Sequence, residues 1–361
     1  MLQVLFIFFF FISVRLAFAI YFYIRLALYD QSSQQTFTKH GNHKLSVIVC
    51  YHNESNNVEQ SLKSLNSQRY EDIEVILVDD QSVDDTLVKL RSFESDKIKI
   101  ITHNVSHAGK KLALAHGIEQ SKHDWLLMTD ADCIMGQKWI NAMMRHRAGK
   151  TIVLGYAPLQ KSSTWVGKFA RYETYFTALQ YLSFALAGRP YMGVGRNLMY
   201  HRKIFDSAGG FSSHIDVASG DDDLLVNYAA NTDNTAICID PDSFVYSPAK
   251  ETFSSFIRQK TRHVSSSHRY RWSDKILLGL SSVAHMMMYI LAALLLFSSH
   301  SWWLMSIPIY WLMMILIQYP ICRKLHSMDL WLLYPIYDIA MAIYYIIMIP
   351  FTFIKKQNTW S

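Results

Sequence analysis

Asp130 and Asp132 stand one residue apart at the end of the run WLLMTDADC, Trp125 to Cys133. In an extended backbone, residues i and i+2 project to the same side. A strand leaving the core through Leu126, Leu127 and Met128 therefore delivers both carboxylates to one point at its C-terminal end. Two hard oxygen ligands suit a divalent cation. Mg2+ or Mn2+ held by one or two carboxylates completes its shell with water and substrate phosphates, so the pattern predicts a nucleotide diphosphate as the other ligand. The competing reading is a solvated turn at a strand end, because D-x-D alone is a common sequence.

The elements that would position this pair form an alternating pattern. LSVIVC (Leu45 to Cys50) is a short β-branched run, followed by a polar loop and a helical pattern with Val58, Leu62 and Leu65 on one face. IEVILVDDQSVDDT supplies a second buried strand, Ile73 to Val78, ending in Asp79-Asp80. A helix with Leu87, Val88 and Leu90, the strand Lys97 to Ile101, a helix around KLALAHGI and the D-A-D strand come next. Strands alternating with helices imply a mostly parallel sheet. Ligands of such sheets collect outside the carboxyl ends of the strands, where Glu54, Asp80, Lys110, Asp130 and Asp132 would all lie.

The chain has 361 residues and a formal net charge of +6, enough for a sizeable core plus additional modules. Charge is concentrated between residues 39 and 275, and both ends are almost purely hydrophobic. That distribution predicts a soluble domain held between membrane segments. Four scattered cysteines without C-x-x-C spacing indicate neither a zinc site nor a disulfide framework, which fits a reducing, cytosol-facing domain.

Seven stretches in order, SVIVCYHNES, VILVDDQSVDDT, HAGKKLALAHGI, MTDADC, GVGRNLMYHR, GGF with SGDDDLL, and RQKTRH, resemble the family 2 inverting glycosyltransferases. The resemblance covers about residues 45 to 263. It implies an α/β, Rossmann-like GT-A domain, a mostly parallel sheet with helices on both faces, flanked by transmembrane helices. It also implies that Asp80, or less readily Asp79, accepts from the nucleobase, that Asp130 and Asp132 hold the metal and diphosphate, and that Asp222, with Asp221 beside it, supplies the catalytic base. Glu54, Lys110, Gln259 and Arg262 complete the implied donor site, Lys110 and Arg262 as cations for phosphate oxygens. The sequence departs from the family pattern twice: Gln81 stands for the usual glycine after the first aspartate motif, and His263 for the usual tryptophan after Arg262.

Each residue also has a plainer reading. Asp79 and Asp80 could cap the next helix, a role that Ser82, Asp84 or Asp85 fills as well, Lys111 reads as the solvated neighbour of Lys110, and Asp221, Asp222 and Asp223 could simply complement a helix dipole. The basic, aromatic-laced stretch Lys250 to Lys275 has a composition that nucleic-acid binding also uses. Its position at the edge of an apolar segment favours anionic membrane lipids instead, so no nucleic-acid partner is expected.

Residues 2 to 28 are long enough for a span of ~20 apolar residues, with Arg15 facing another helix or snorkelling. A cleaved leader ending near Ala17-Phe18-Ala19 is the alternative. Three more apolar segments lie near 276 to 297, 302 to 321 and 330 to 354, and Asp338 inside the last reads either as functional or as interfacial. Arg323-Lys324 argues for a cytoplasmic loop, while Lys355-Lys356 conflicts with simple alternation.

The expected organisation is an anchor (1–28), a linker (29–44), the GT-A domain (45–249), a basic juxtamembrane segment with the Q-x-x-R-H motif (250–275), transmembrane or interfacial helices (276–354) and a tail (355–361). The expected activity is transfer from a nucleotide-sugar, a UDP-sugar first, to a lipid-linked or envelope glycan acceptor, with Mg2+ or Mn2+. The expected setting is a bacterial inner membrane with the catalytic domain cytoplasmic. A processive synthase that also exports its polymer, and a degenerate GT-A binding protein, are the alternatives.

Overall fold

The computed structural model describes residues 2–34, 44–104, 109–147, 149–217, 219–296 and 302–352. Most of the expected linker, the residues His107 and Ala108, and Lys355-Lys356 with the tail lie outside the described residues. The strands are β1 (Leu45–Tyr51), β2 (Ile73–Asp79), β3 (Ile98–Thr102), β4 (Trp125–Asp130), β5 (Ile134–Met135), β6 (Ile152–Gly155), β7 (Leu198–His201), β8 (Thr235–Cys238) and β9 (Val245–Tyr246). The helices are α1 (Leu2–Phe18), α2 (Ile24–Leu28), α3 (Val58–Asn66), α4 (Thr86–Arg91), α5 (Lys110–Gln120), α6 (Trp139–Arg145), α7 (Trp165–Leu186), α8 (Arg202–Ser207), α9 (Asp223–Ala229), α10 (Phe253–Ser267), α11 (Trp272–Leu295), α12 (Ser306–Lys324), α13 (Met328–Trp331) and α14 (Tyr334–Thr352). A π-helical turn, Ala19–Tyr23, joins α1 to α2.

Seven strands form one sheet in the order β3-β2-β1-β4-β7-β6-β8. The first four are parallel to one another, β7 runs antiparallel to both β4 and β6, and β8 is parallel to β6. Every residue of β1 is buried, which suits a sequence that is apolar on both faces rather than alternating, with Ser46 the one clearly polar residue, its hydroxyl donating to Glu74 Oε1 at 2.6 Å. Register then fixes the site: Tyr51 pairs with Asp79, and Cys50 pairs with Asp130. The acidic ends of β2 and β4 are thereby brought to flank the end of β1.

Both faces of the sheet are covered. One core packs β1, β2 and β4 against α3 and α6, with Val58, Leu62, Leu65, Trp139 and Ile140 buried. The opposite core takes in Ala113, Leu114 and Ile118 of α5 and the aromatic face of α7, and runs on without interruption into α1, α11, α12 and α14. Gly117 lets α5 settle onto the sheet, since a Cβ there would lie 2.7 Å from Ile48 Cγ2 and 2.9 Å from Val78 Cγ2.

Among the described residues, three helical segments are long and apolar enough to cross a membrane: Leu2–Leu28, Trp272–Leu295 and Tyr334–Phe351. The expected middle C-terminal segment is helical as α12, with Pro320 inside it, but falls outside that set. Arg15 does not snorkel and Asp338 is not interfacial. Both are buried, at 1% and 0% exposure, with Arg15 Nη2 3.6 Å from Asp338 Oδ1. Asp338 accepts from Tyr289 at 2.6 Å and Tyr334 at 2.7 Å and pairs with His285 at 3.0 Å, while Arg15 donates to the Tyr310 hydroxyl. Four helices, α1, α11, α12 and α14, are joined at this one cluster.

Removing one member strands a charge in an apolar bundle, at a cost of about 3–5 kcal/mol. Asp338→Ala and Arg15→Met are each expected to lower thermal stability in detergent, and the double variant to lose clearly less than the two single losses combined. Additive losses would show that the pair does not interact.

Candidate functional site

The loop after β2 is built on two residues in left-handed backbone. Gln81, where the family pattern has glycine, has φ 57°, and Asn53 in the facing loop has φ 54°. The turn therefore keeps the conformation that glycine adopts without steric cost. Asn53 also accepts from the Val83 N–H at 2.9 Å, and Asp84 accepts from Thr86 N–H at 3.0 Å near the start of α4.

Asp80 is fully buried, its Oδ1 2.7 Å from His103 Nδ1 and its Oδ2 accepting from the Gly109 N–H at 2.7 Å. It fixes the residue immediately before α5. Asp79 is also buried; its Oδ2 accepts from Ser82 N–H at 3.4 Å, and its Oδ1 has no hydrogen-bond partner among the described residues. Glu54 receives Asn57 Nδ2 at 2.6 Å, and burial, opposed by that bond and reinforced by Asp132, raises its pKa.

Lys110, the first residue of α5, reaches the end of β4. Its Nζ lies 2.9 Å from Asp130 Oδ1 and 2.9 Å from Asp221 Oδ2. Burial disfavours the ammonium, but Asp130, Asp221 and Asp222 together outweigh it and hold the lysine charged. Lys111 is corrected from the solvated position expected for it. It is buried, and its Nζ donates to the carbonyls of His214 at 2.6 Å and Val217 at 2.8 Å, anchoring the segment that leads to the acidic motif.

That motif follows Gly220, at φ 103°, a conformation reserved for glycine. The three aspartates then diverge. Burial pushes Asp221 up, but Lys110 more than offsets it and leaves the carboxyl below its ordinary range. Asp222 caps α9: its Oδ1 accepts from Asp223 N–H at 2.7 Å and its Oδ2 from Gly195 N–H at 2.5 Å. Burial, then the charges of Asp221 and Asp223, raise it to about 7 against the pull of Lys110. Asp223 turns away from the opening, accepting from the Ser266 hydroxyl at 2.5 Å and the Tyr270 hydroxyl at 2.6 Å. A carboxylate that is half-buried and near neutrality is suited to proton transfer at physiological pH.

Ile48, Cys50, Met128, Asp130, Gly195 and Asp222 are among the residues that line one pocket with Lys110 and Asp221. Gly195 allows a close approach to Asp222, since a Cβ would stand 3.3 Å from Asp222 Oδ2 and would press that carboxylate by a few tenths of an ångström. Asp132 is half-buried beside Asp130, and burial and that neighbouring charge raise its pKa, with Arg196 opposing. Among the described residues no group of three or more His, Cys, Asp or Glu side chains is arranged to hold a metal. Two crowded hard carboxylates nevertheless fit a Mg2+ or Mn2+ ion that takes its remaining ligands from water and phosphate.

Gln259, Arg262 and His263 lie on α10, half-buried or exposed. Neighbouring protein, followed by the charges of Lys260, Arg262, Arg196 and Lys110, disfavours the protonated imidazole of His263 and holds it well below the usual range. Trp272 stands apart, 76% exposed at the start of α11 with Lys275 Nζ 4.4 Å from its ring centroid.

Gly195, Arg196, His103 and Ser266 are site residues that no sequence pattern assigned singly. The first two lie inside the GVGRN stretch, which is the available signal. The other two become visible only through tertiary contact, as does the bond that Tyr270 of the basic, aromatic stretch makes to Asp223.

Residues 46–209 match the family model "Glycosyl transferase family 2". Among curated proteins, the chain is similar to the poly-beta-1,6-N-acetyl-D-glucosamine synthase of Staphylococcus aureus, 28% identical over 130 residues, 35% of this chain and 31% of that protein. It is also similar to Glycosyltransferase AglE of Haloferax volcanii, 27% identical over 181 residues, 49% of this chain and 58% of that one. The matched stretch thus spans about a third of the first relative and little more than half of the second. Among solved structures, a mannosyltransferase from Pyrobaculum calidifontis in complex with GDP-Man and Mn2+ has the same fold, with a TM-score of 0.53, 17% identity, and coverage of 93% of this chain and 99% of that one.

Because its folded value lies above the ordinary carboxyl value, Asp222 contributes stability that is present at acid pH and lost as pH rises through about 7. Asp223→Asn removes one of the charges that raise it, so the Asp222 carboxyl band in isotope-edited infrared titration is expected to disappear at lower pH than in the parent. An unshifted titration would show that Asp223 does not act on Asp222.

Proposed function

The chain carries a family 2 glycosyltransferase domain over residues 46–209, and from that premise we propose a membrane-bound inverting transferase. It moves a sugar from a nucleotide-sugar, first among them a UDP-sugar, to a lipid-linked or cell-envelope glycan acceptor. The observation that carries this reading is the convergence of Asp130, Lys110, Asp221 and Asp222 around one pocket at the carboxyl ends of β1 and β4.

In this reading the acceptor hydroxyl attacks the anomeric carbon from the face opposite the nucleotide. Asp222 takes the hydroxyl proton as the new bond forms, and the nucleoside diphosphate leaves with the electron pair of the broken C1–O bond. Asp130 and Asp132 would hold a Mg2+ or Mn2+ ion, which when bound neutralises charge on the leaving diphosphate. Lys110 and Arg262 offer further cations to the phosphate oxygens, with Gln259 as a neighbouring donor. Asp79, whose buried Oδ1 is unpartnered among the described residues, and Glu54 stand on the nucleoside side, while Asp80, bound to His103 and the Gly109 N–H, sets the root of α5 behind them rather than meeting the base directly.

The proposed organisation retains the boundaries 1–28, 29–44, 45–249, 250–275, 276–354 and 355–361, with the catalytic domain on the cytoplasmic side of a bacterial inner membrane. The apolar lengths of Leu2–Leu28, Trp272–Leu295 and Tyr334–Phe351 support the membrane setting. A processive synthase is the second reading, favoured by the similarity to the staphylococcal polymer synthase. His263 in place of an aromatic acceptor platform weighs toward single additions. Product length separates the two.

Purified protein in detergent, screened against UDP- and GDP-sugars with and without Mn2+, is expected to transfer sugar from one donor class in a metal-dependent way. Asp222→Asn should lower turnover by ~100- to 10,000-fold with donor affinity unchanged, while Asp221→Asn and Asp223→Asn, sharing charge and location, serve as comparisons. Equal mild losses at all three would leave the motif without a base. Asp130→Asn or Asp132→Asn is expected to abolish metal-dependent nucleotide binding in calorimetric titration, and unchanged affinity in both would remove the metal assignment.

A further inference from the structure

We propose that Lys110 is the resident counter-ion of the D-x-D pair, and that a divalent cation arriving there displaces its ammonium from Asp130 toward the phosphates of the donor. This rests on the metal-dependent reading of the site and goes beyond it by assigning a competition between two cations for one carboxylate.

The Lys110 Nζ is equidistant from two carboxylates, 2.9 Å from Asp130 Oδ1 and 2.9 Å from Asp221 Oδ2. The two acceptors are not equivalent. Asp130 is a third exposed, and Asp221 is 8% exposed. Asp130 is therefore the open, exchangeable partner and Asp221 the enclosed one. An ion shared by Asp130 and Asp132 would bring two positive charges beside an ammonium already in contact with one ligand oxygen, and in a part-buried setting that repulsion is weakly screened.

The root of the lysine is fixed, because the Gly109 N–H is held by Asp80 Oδ2 at 2.7 Å. The four-carbon stem is not, and an ammonium is a compact charge with three rotatable donors. Displacement is thus a pivot about a pinned Cα, with Asp221 retaining one hydrogen bond. The freed donors then meet the anionic groups that accompany the metal. Metal and phosphate binding become positively coupled: each removes the obstacle that the other meets. Asp221 lies next to Asp222 in the chain, so the same pivot reports donor occupancy to the acidic motif.

The test measures Mn2+ binding to the full-length protein in detergent by electron paramagnetic resonance, with Mn2+ alone and with Mn2+ plus inorganic pyrophosphate. In Lys110→Met, Mn2+ alone is expected to bind about tenfold more tightly than in the parent, and the gain on adding pyrophosphate to shrink by about tenfold, as reciprocal coupling requires. Lys110→Arg, which keeps the charge, is expected to behave like the parent. Equal or weaker binding of Mn2+ alone in Lys110→Met overturns the proposal while leaving the metal site intact, provided that Asp130→Asn abolishes binding. Binding indifferent to Asp130→Asn overturns the metal reading as well. Should Lys110→Met fail to fold, a structure of the parent with Mn2+ and pyrophosphate decides. Lys110 Nζ beyond ion-pair distance of Asp130 supports the displacement, and an unbroken contact with the ion on Asp130 and Asp132 overturns it.

Discussion

The candidate site depends on one ammonium held between carboxylates from two distant parts of the chain. Asp130 ends the central parallel strand, Asp221 belongs to the loop before α9, and Lys110 opens the helix packed on the sheet between them. Without that cation, Asp130, Asp221 and Asp222 would face one another uncompensated in a poorly solvated pocket. Like charges so arranged are forced to take up protons. Lys110 divides the burden unequally: Asp221 is kept ionised while Asp222, further from the ammonium and beside two acids, is left near neutrality. Two adjacent aspartates of identical chemistry thereby acquire different protonation behaviour.

The pocket is held in place from the side of the apolar helices. Asp223 binds Ser266 of α10 and Tyr270 just beyond it, so the acidic motif and the helix bearing Gln259 and Arg262 are tied at a single carboxylate. Arg271 continues the link: its N–H donates to Asn227 Oδ1 at 2.9 Å, and its Nε donates to Asp274 at 3.0 Å. Asn227 Nδ2 in turn donates to the same Asp274 and to the Tyr191 carbonyl. Lys260 pairs with the buried Glu173 of α7. Movement of α10 relative to α9 must break several of these charge-assisted contacts at once, so the acceptor side of the pocket is coupled to the position of α11. A parallel device, the Arg15 and Asp338 cluster, holds α1 against α11, α12 and α14. The continuous apolar core between the sheet and these helices transmits the constraint.

Much of this was legible in the amino-acid order. The alternation of buried strands with helices, the acidic ends of β2 and β4 and the apolar ends of the chain follow from local periodicity and residue type, and the seven ordered motifs add a family resemblance to them. These are properties that the backbone expresses wherever it sits. Strand ends bring Asp79 and Asp130 to one rim, because the parallel strands β2 and β4 terminate on the same edge either side of β1, while Asp80 follows β2 directly and Asp132 sits in the turn after β4 rather than on an extended strand. Tertiary structure decided what no local pattern encodes: that Lys110 faces Asp130 and Asp221 while Lys111, one residue on, is buried beneath His214 and Val217; that Asp80 is spent on His103 and Gly109; and that Arg15 and Asp338, 323 positions apart in the numbering of one ion pair, neutralise each other. Neighbouring residues of one type look alike in sequence. They part company only when burial and distant charges give each a different cost of ionisation and a different set of partners.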